Sequence, residues 1–325
     1  MLPSKKIKRS GTVLEKLMST LTVMAPIVGA VTLGLISRKR NWLTEAENRG
    51  LQQYAIRIGL PCVVFNSCLT MELNSGALLS MAMILPILLI GCLWSFRARG
   101  GKYPYHNLPM LFSAQETGMM GIPLFITLFG ASEAYRMGVL DLTQAIIAYP
   151  VLAILTAPAG EDVSAGKLAK NLMNILKSPF LIMSLLGLFL NLCGARELLA
   201  RVGLLGAVTG TAEFLSRPLT TVMLFSVGFT FSLSEENRSQ ILKLSLGHFL
   251  AFGLYGLAMQ GVLLLIPSVD SLTRWVMALY FTLPASYLAA GLGKNAREGA
   301  IASGVSSITT VLSLLAFCVI AGLAA

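Results

Sequence analysis

The sequence predicts an all-α polytopic membrane protein, and three observations carry that reading. Hydrophobic residues make up 55% of the 325 and charged residues 12%, about half the charged share of a soluble domain. Mean hydropathy is +0.74. Long uncharged stretches recur from end to end, separated by short basic clusters. The 25 Lys and Arg and 15 Asp and Glu are too few to wet a soluble body of this size. A soluble enzyme, a disordered chain and a secreted disulfide scaffold are excluded. Ten spans of about 20 residues would use roughly 200 residues.

The spans follow from the charges. The first lies between Lys16 and Arg38, where 21 residues carry no charge. The second runs from about Leu51 to Thr70 and carries Arg57, which can snorkel if it sits near a helix end. The third lies between Glu72 and Arg97. The fourth covers about Asn107 to Gly130 and contains Glu116, and the fifth runs from about Tyr135 to Ala157 with Asp141 early in it. A polar segment, 158–177, follows near the middle of the chain. The sixth span is short, between Lys177 and Arg196. The seventh starts near Arg217 and ends before Glu235, and Arg201–Leu215 reads as an amphipathic or re-entrant piece leading into it. The eighth lies between Lys243 and Asp270, the ninth between Arg274 and Lys294, and the tenth follows Glu298.

The beginning looks like a secretory signal, with Lys5, Lys6, Lys8 and Arg9 before an apolar core. That core is long enough to span and nine apolar segments follow, so an uncleaved first helix is expected. The loops after odd-numbered spans hold 15 basic residues and those after even-numbered spans hold five. The positive-inside rule then puts the odd loops in the cytoplasm and both termini outside. The basic N-terminal tail votes the other way. The net charge of +10 is spread singly and in threes between apolar runs, which suits anionic lipid heads rather than nucleic acid.

The two halves share landmarks. Pro26 and Gly34 in the first span are matched by Pro179 and Gly187 in the sixth, each pair eight residues apart. Pro123 and Gly130 in the fourth are matched by Pro284 and Gly291 in the ninth, each seven apart. Five spans per half is an odd number, so the second half must be inverted in the membrane. That is the pattern of an inverted-repeat carrier: a first repeat at 1–157, a linker at 158–177 and a second repeat at 178–325. Gly and Pro are also common in membrane helices generally, which would produce some of these matches by itself.

Two spans look broken. Gly118, Gly121 and Pro123 are poor material for a continuous helix, and Pro284 lies mid-span with Gly291 and Gly293 after it. Freed backbone groups cannot face lipid, so they must face protein or a cavity. Half-helix N-termini near the midplane would bind a carboxylate without a buried arginine. Modest kinks used for packing would give the same composition. Glu116 is the sharpest single residue. An ionised carboxylate in hydrocarbon must face a cavity, pair, or carry a proton, unless the span starts later and leaves Glu116 near a surface. Gln115, Thr117, Thr282 and Ser286 supply neutral hydrogen bonds around the same point. Asp141 and Gln144 either face the bundle or mark the wet end of their helix. Asn66, Ser67 and Ser226 are explained equally well as site groups or as helix–helix hydrogen bonds. The run Ser303, Ser306, Ser307, Thr309, Thr310 reads first as close packing against a broken helix. His248 reads as a packed histidine, and Met119–Met120 as core filling.

No nucleotide loop, zinc spacing or nucleophile elbow is present. The five cysteines, Cys62, Cys68, Cys92, Cys193 and Cys318, lie in apolar runs without a CxxC pair. No enzymatic activity, metal centre or cofactor is therefore expected.

Several segments together resemble the auxin efflux carrier family, and particularly its bacterial permease branch. They are the stretch from Pro26 to Phe65 with GLP at Gly59–Pro61, GIPL at Gly121–Leu124, KSPFLIMSLLGLFLNLCG at the sixth span, and LPASYLAAGLGKNAREGAIASGVSSITTVLSLLAF near the end. The resemblance implies two inverted five-helix repeats whose fourth and ninth helices are broken and cross at their prolines, here Pro123 and Pro284, as in bile-acid symporters and sodium/proton antiporters. It implies a transporter of organic anions, such as malonate or related dicarboxylates, in the bacterial inner membrane. The expected substrate-binding residues are Gln115, Glu116, Thr117, Gly121, Pro123, Thr282, Pro284 and Ser286. The expected coupling residues are Glu116 and Asp141, with the proton as coupling ion and sodium as the other candidate. Plant members carry asparagine where this chain has Glu116. A carboxylate there would repel an anionic substrate unless protonated, so either proton coupling is built in or the substrate is not a simple anion. The alternatives are a cation-coupled symporter of an amphipathic anion and a non-transporting membrane sensor on a carrier-like body. A homodimer is compatible with each of them.

Overall fold

The computed structural model describes residues 13–71, 75–99, 108–156, 173, 177–232, 235–287, 289 and 295–324. Among these residues the chain is almost wholly helical and forms no strand beyond one isolated bridge. The helices are α1 (Val13–Arg40), α2 (Glu45–Tyr54), α3 (Leu60–Thr70), α4 (Ser75–Arg99), α5 (Leu108–Leu111), α6 (Ile122–Phe129) and α7 (Ala134–Thr156). After the centre follow α8 (Pro179–Leu192), α9 (Ala195–Arg201), α10 (Leu205–Ser216), α11 (Leu219–Thr230), α12 (Arg238–Leu264), α13 (Ser271–Tyr280) and α14 (Ala296–Ala324). Most of the expected linker at 158–177 lies outside the described residues, as do Lys5, Lys6, Lys8, Arg9, Gly291, Gly293 and Lys294.

Three helical stretches are long and apolar enough to cross a membrane unaided: Leu21–Arg40, Arg238–Leu264 and Ala296–Ala324. The pair α8 and α9, bent by 73°, makes a fourth if taken as one span. Two other segments contain wide turns that have a common cause. Between α2 and α3, residues Ala55–Gly59 form a π turn, and a second π turn at Thr117–Gly121 precedes α6. Each ends in glycine and is followed by Leu60–Pro61 or Ile122–Pro123. Proline has no N–H and its ring clashes with the carbonyl four residues back. Widening the preceding turn removes that conflict: Leu60 N–H reaches back to Ala55 O and Ile122 N–H to Thr117 O, five residues each. The GLP and GIP triplets thus have one structural consequence.

Two readings need correction. The seventh segment begins at Leu205 rather than near Arg217, because only Arg217 and Pro218, both with right-handed helical dihedrals, separate α10 from α11. Arg217 is then no loop residue; it lies on an exposed helix surface facing Glu213 at 3.9 Å. Removing it from the even-loop count leaves the charge asymmetry with the same sign. Arg57 lies inside the π turn rather than near a helix end, with its side chain exposed.

The helices pack as two groups. In one, α1 lies along α11, and α3 lies between α8 and α10. In the other, α4 lies along α7, and α12 along α14 and α13. The α1–α11 contact is set by Gly34 and Gly228. A Cβ on Gly34 would run into the Phe225 carbonyl, and one on Gly228 into the Val31 carbonyl, so the two backbones touch directly. Contacts between the groups run through α1 with α14, α11 with α6, and α3 with α7.

Connections are capped by polar side chains. Thr44 and Glu47 form a capping box at α2, and the Thr44 amide and hydroxyl hold the Glu47 carboxyl below its usual range. Asp270 caps α13 by accepting from Thr273 N at 2.7 Å, and Arg136 bridges it to Glu133 across to α7. Burial pushes the Asp270 carboxyl up, but its bonds to Thr273 and Arg136 outweigh this and hold it below the usual range.

Candidate functional site

The isolated bridge is the centre of the molecule. After α5 a turn leads into the irregular stretch Ala114–Glu116, and after α13 a turn leads into Pro284–Ser286. These two stretches cross antiparallel, with Gln115 opposite Ala285. Glu116 N donates to Pro284 O at 2.9 Å, and Ser286 N donates to Ala114 O at 3.1 Å. Backbone released from one broken helix is therefore satisfied by backbone released from the other. The break falls at Phe112–Glu116, not at Pro123, which sits buried in the first turn of α6. Glu116 lies in the break itself rather than a turn before it.

Side chains from three further helices hold the crossing. Gln144 on α7 acts as a local strand partner: its Oε1 accepts from Gln115 N at 2.8 Å and its Nε2 donates to Gln115 O at 2.6 Å. The same Oε1 accepts from Tyr280 Oη at 3.0 Å. The Gln115 carboxamide, in the orientation its neighbours dictate, donates to Leu283 O and Pro284 O at 3.0 Å and to His248 Nε2 at 3.1 Å. His248 Nδ1 lies 2.6 Å from Leu111 O. A carbonyl only accepts, so Nδ1 carries the proton and the ring is neutral with both nitrogens used. From α14, Thr309 Oγ1 accepts from Ala285 N at 3.1 Å, and Ser306 Oγ donates to Ser286 O at 3.4 Å.

Glu116 forms the next layer. It is the N-cap of the turn leading into α6, and its Oε1 accepts from Met119 N at 3.4 Å. Its Oε2 accepts from Tyr287 N at 2.9 Å. One carboxylate thus holds an amide from each broken segment. Asp141 Oδ1 accepts from the Thr117 hydroxyl beside it. No Lys or Arg among the described residues pairs with either carboxylate.

A cavity of about 260 Å³ adjoins this layer, lined by Gln52, Met119, Val227, Thr230, Phe231, Tyr287, Ser303, Ser306, Ser307 and Thr310. Tyr287 Oη and Thr310 Oγ1 meet at 2.9 Å in its wall. A second cavity of about 280 Å³ shares Gln52, Thr230 and Ser303 with it and reaches Arg38, Glu45 and Arg49. The two are neighbours that share part of their lining: the outer one lies at the α1–α2 connection, an odd loop, and the inner recess lies beside the crossing.

The eight residues expected as ligands are thus distributed, with Pro123 buried in the first turn of α6. Gln115, Glu116, Pro284 and Ser286 build the crossing. Thr117 opens the π turn and bonds Asp141. Gly121 allows close packing, since a Cβ there would come 2.7 Å from Leu283 Cδ1. Thr282 bonds Ala278 O and Leu279 O in its own helix. The cavity wall is built largely from other residues. Gln52, Tyr287 and Phe231 carried no signal beyond polarity or aromaticity in apolar surroundings, and Met119 read as filling. His248 and Gln144 prove to be parts of the crossing. Ser67 caps the start of α7 through Ser132 O and Tyr135 N, and Ser226 bonds Asn48, so both serve helix packing. Asn66 Oδ1 is buried without a partner.

Two interrupted helices whose freed backbones pair beside a polar recess, in a chain of long apolar helices, mark a membrane protein of the transport class. The family model described as Membrane transport protein (Mem_trans) matches residues 19–321, and the chain belongs to this family, the auxin efflux carrier family that the sequence motifs resemble. A search of curated proteins gave no match.

Proposed function

We propose that this protein is a secondary carrier of an organic anion, a mono- or dicarboxylate such as malonate, working by alternating access in the bacterial inner membrane. The observation that carries the reading is the recess that ends at the paired helix breaks, where backbone amides and hydroxyls converge without a fixed cation. The chain crosses the membrane ten times as two inverted five-helix repeats, 1–157 and 178–325. Support comes from the interruptions: the fourth and ninth segments are both broken, and the broken stretches meet antiparallel.

The ligand sits against Met119, Tyr287 and Thr310 beside Glu116, with the breaks behind it. The group containing α4, α7, α12, α13 and α14 moves against the group containing α1, α3, α8, α10 and α11, taking the crossing with it. The outer cavity lies at an odd loop, so this conformation faces the cytoplasm under the positive-inside assignment, and the termini lie in the periplasm. Glu116 and Asp141 carry the coupling proton, because two carboxylates in an apolar interior without cationic partners are costly in the ionised state.

Counterflow in proteoliposomes tests this. Liposomes preloaded with malonate, succinate or a monocarboxylate should accumulate the labelled acid that the site accepts, faster with an inward proton gradient. Specific binding of an acid with no flux under any gradient would replace the carrier reading with that of a sensor.

A further inference from the structure

We propose that Glu116 is the site's own resident anion, and that a substrate carboxylate binds by taking over the two amides Glu116 now holds. The inference rests on the organic-anion reading above and deepens it. Met119 N and Tyr287 N come from different broken segments, and Glu116 gathers both at 3.4 and 2.9 Å. Both residues also line the cavity, so the two positions that Glu116 ties together are ones a ligand in the cavity would meet. Met119 lies in the first turn of a helical stretch of thirteen residues, Thr117–Phe129, and the dipole of that stretch adds positive potential where the carboxylate sits.

The rest of the wall offers no fixed positive charge. Gln52, Thr230, Ser303, Ser306, Ser307 and Thr310 are neutral hydrogen-bonding groups. The amides are the best anion ligands the site has, and they are taken. A second carboxylate beside an ionised Glu116 would meet strong repulsion in a poorly screened interior. The exchange is balanced at the amides only if Glu116 picks up one proton for the one substrate carboxylate that replaces it; the second carboxylate of a dicarboxylate lies outside that exchange. The proton comes from the solvent in the recess. Release reverses the step: the proton leaves, the carboxylate recaptures both amides, and the site closes on itself without ligand.

The groups around Glu116 bear on which one titrates. From α7 comes Asp141, bonded to Thr117. The segment after α13 brings the Tyr287 phenol, hydrogen-bonded to Thr310, and α13 itself brings Tyr280, bonded to Gln144. From α12 comes His248, whose Nδ1–H and Nε2 are both engaged, so adding a proton would set an N–H against the Gln115 amide. α11 and α14 present hydroxyls and apolar groups. Of these, only Glu116 accepts from the Met119 and Tyr287 amides.

The test is calorimetric binding of malonate and of indole-3-acetate to the purified protein between about pH 6 and 8, in buffers of different ionisation enthalpy. Protonation of the acids themselves is subtracted. The wild type should take up close to one proton per anion bound, and its affinity should fall about tenfold per pH unit on the alkaline side. Glu116→Gln should bind with no proton uptake and a flat pH profile. An unchanged slope in Glu116→Gln, or binding to the wild type without proton uptake, overturns the inference while leaving the carrier reading intact. If Glu116→Gln does not fold, the wild-type proton count decides alone. Failure of both acids to bind either form overturns the organic-anion reading, and this inference with it.

Discussion

Replacing Gln144 with leucine should break the crossing, and the structure sets the size of the effect. The Gln144 carboxamide is the partner of Gln115 N and of Tyr280 Oη, and it also donates to Gln115 O. Gln115 O keeps a second partner in Thr117 N at 3.0 Å. Gln144→Leu therefore orphans two buried donors and removes one of two bonds to a carbonyl. Gln115 is 1% exposed and Tyr280 0%, so water cannot replace the lost partner. At about 1–3 kcal/mol for each orphaned donor, the loss is about 2–6 kcal/mol. An average side-chain hydrogen bond between membrane helices is worth only about 0.6 kcal/mol, so the two accounts differ by several-fold. Unfolding of the purified protein in mixed micelles, titrated with SDS and followed by tryptophan fluorescence, separates them. The double variant Gln144→Leu with Tyr280→Phe removes one of the orphans and should regain about 1–3 kcal/mol. A single-variant loss below about 1 kcal/mol, or no recovery in the double variant, would refute the assignment of Gln144 as the missing strand partner.

Three further outcomes follow from other parts of the molecule. Gln52→Leu, which removes the polar group shared by both cavities, should raise the KM for counterflow several-fold while leaving thermal stability near that of the wild type; an unchanged KM would place the ligand elsewhere. Gly34→Val should separate α1 from α11, since even a Cβ meets the Phe225 carbonyl, and lower stability by about 1–3 kcal/mol; wild-type unfolding would mean the helices do not touch there. The Asp270 carboxyl is held below its unfolded value by Thr273 and Arg136, so its stabilising contribution is present above about pH 4 and lost as pH falls through the folded value. Asp270→Asn should lose that contribution at neutral pH, lowering stability there, and so flatten the acid limb in a thermal-shift series. An acid limb as steep as the wild type's would assign it to another carboxylate.

The reading from sequence and the structure part company at particular residues. Apolar runs bounded by charges placed the helical stretches well, because hydrocarbon tolerates few other patterns. Pro123 and Pro284 announced interruptions, because a missing N–H has a local consequence, whereas the turn before Pro61 was not foreseen. The seventh segment was misplaced because Arg217 looked like a boundary, yet it sits at a Pro218 junction within a longer helical stretch. Glu116 is read from the sequence as an expensive carboxylate that binds substrate and carries the coupling proton, without the partners it holds. That it gathers Met119 and Tyr287 amides depends on two segments some 170 residues apart in sequence coming within hydrogen-bonding reach.

Composition and charge spacing settle the environment, and proline and glycine settle where helices must give way, because both act through the backbone of a few neighbouring residues. Which amide each polar side chain satisfies is decided only when α7, α12 and α14 close around the crossing. A glutamine on α7 that pairs with an irregular stretch, a neutral histidine tautomer and a carboxylate bridging two breaks have no local sequence signature. Their chemistry belongs to the distances between helices, and those exist only in the folded protein.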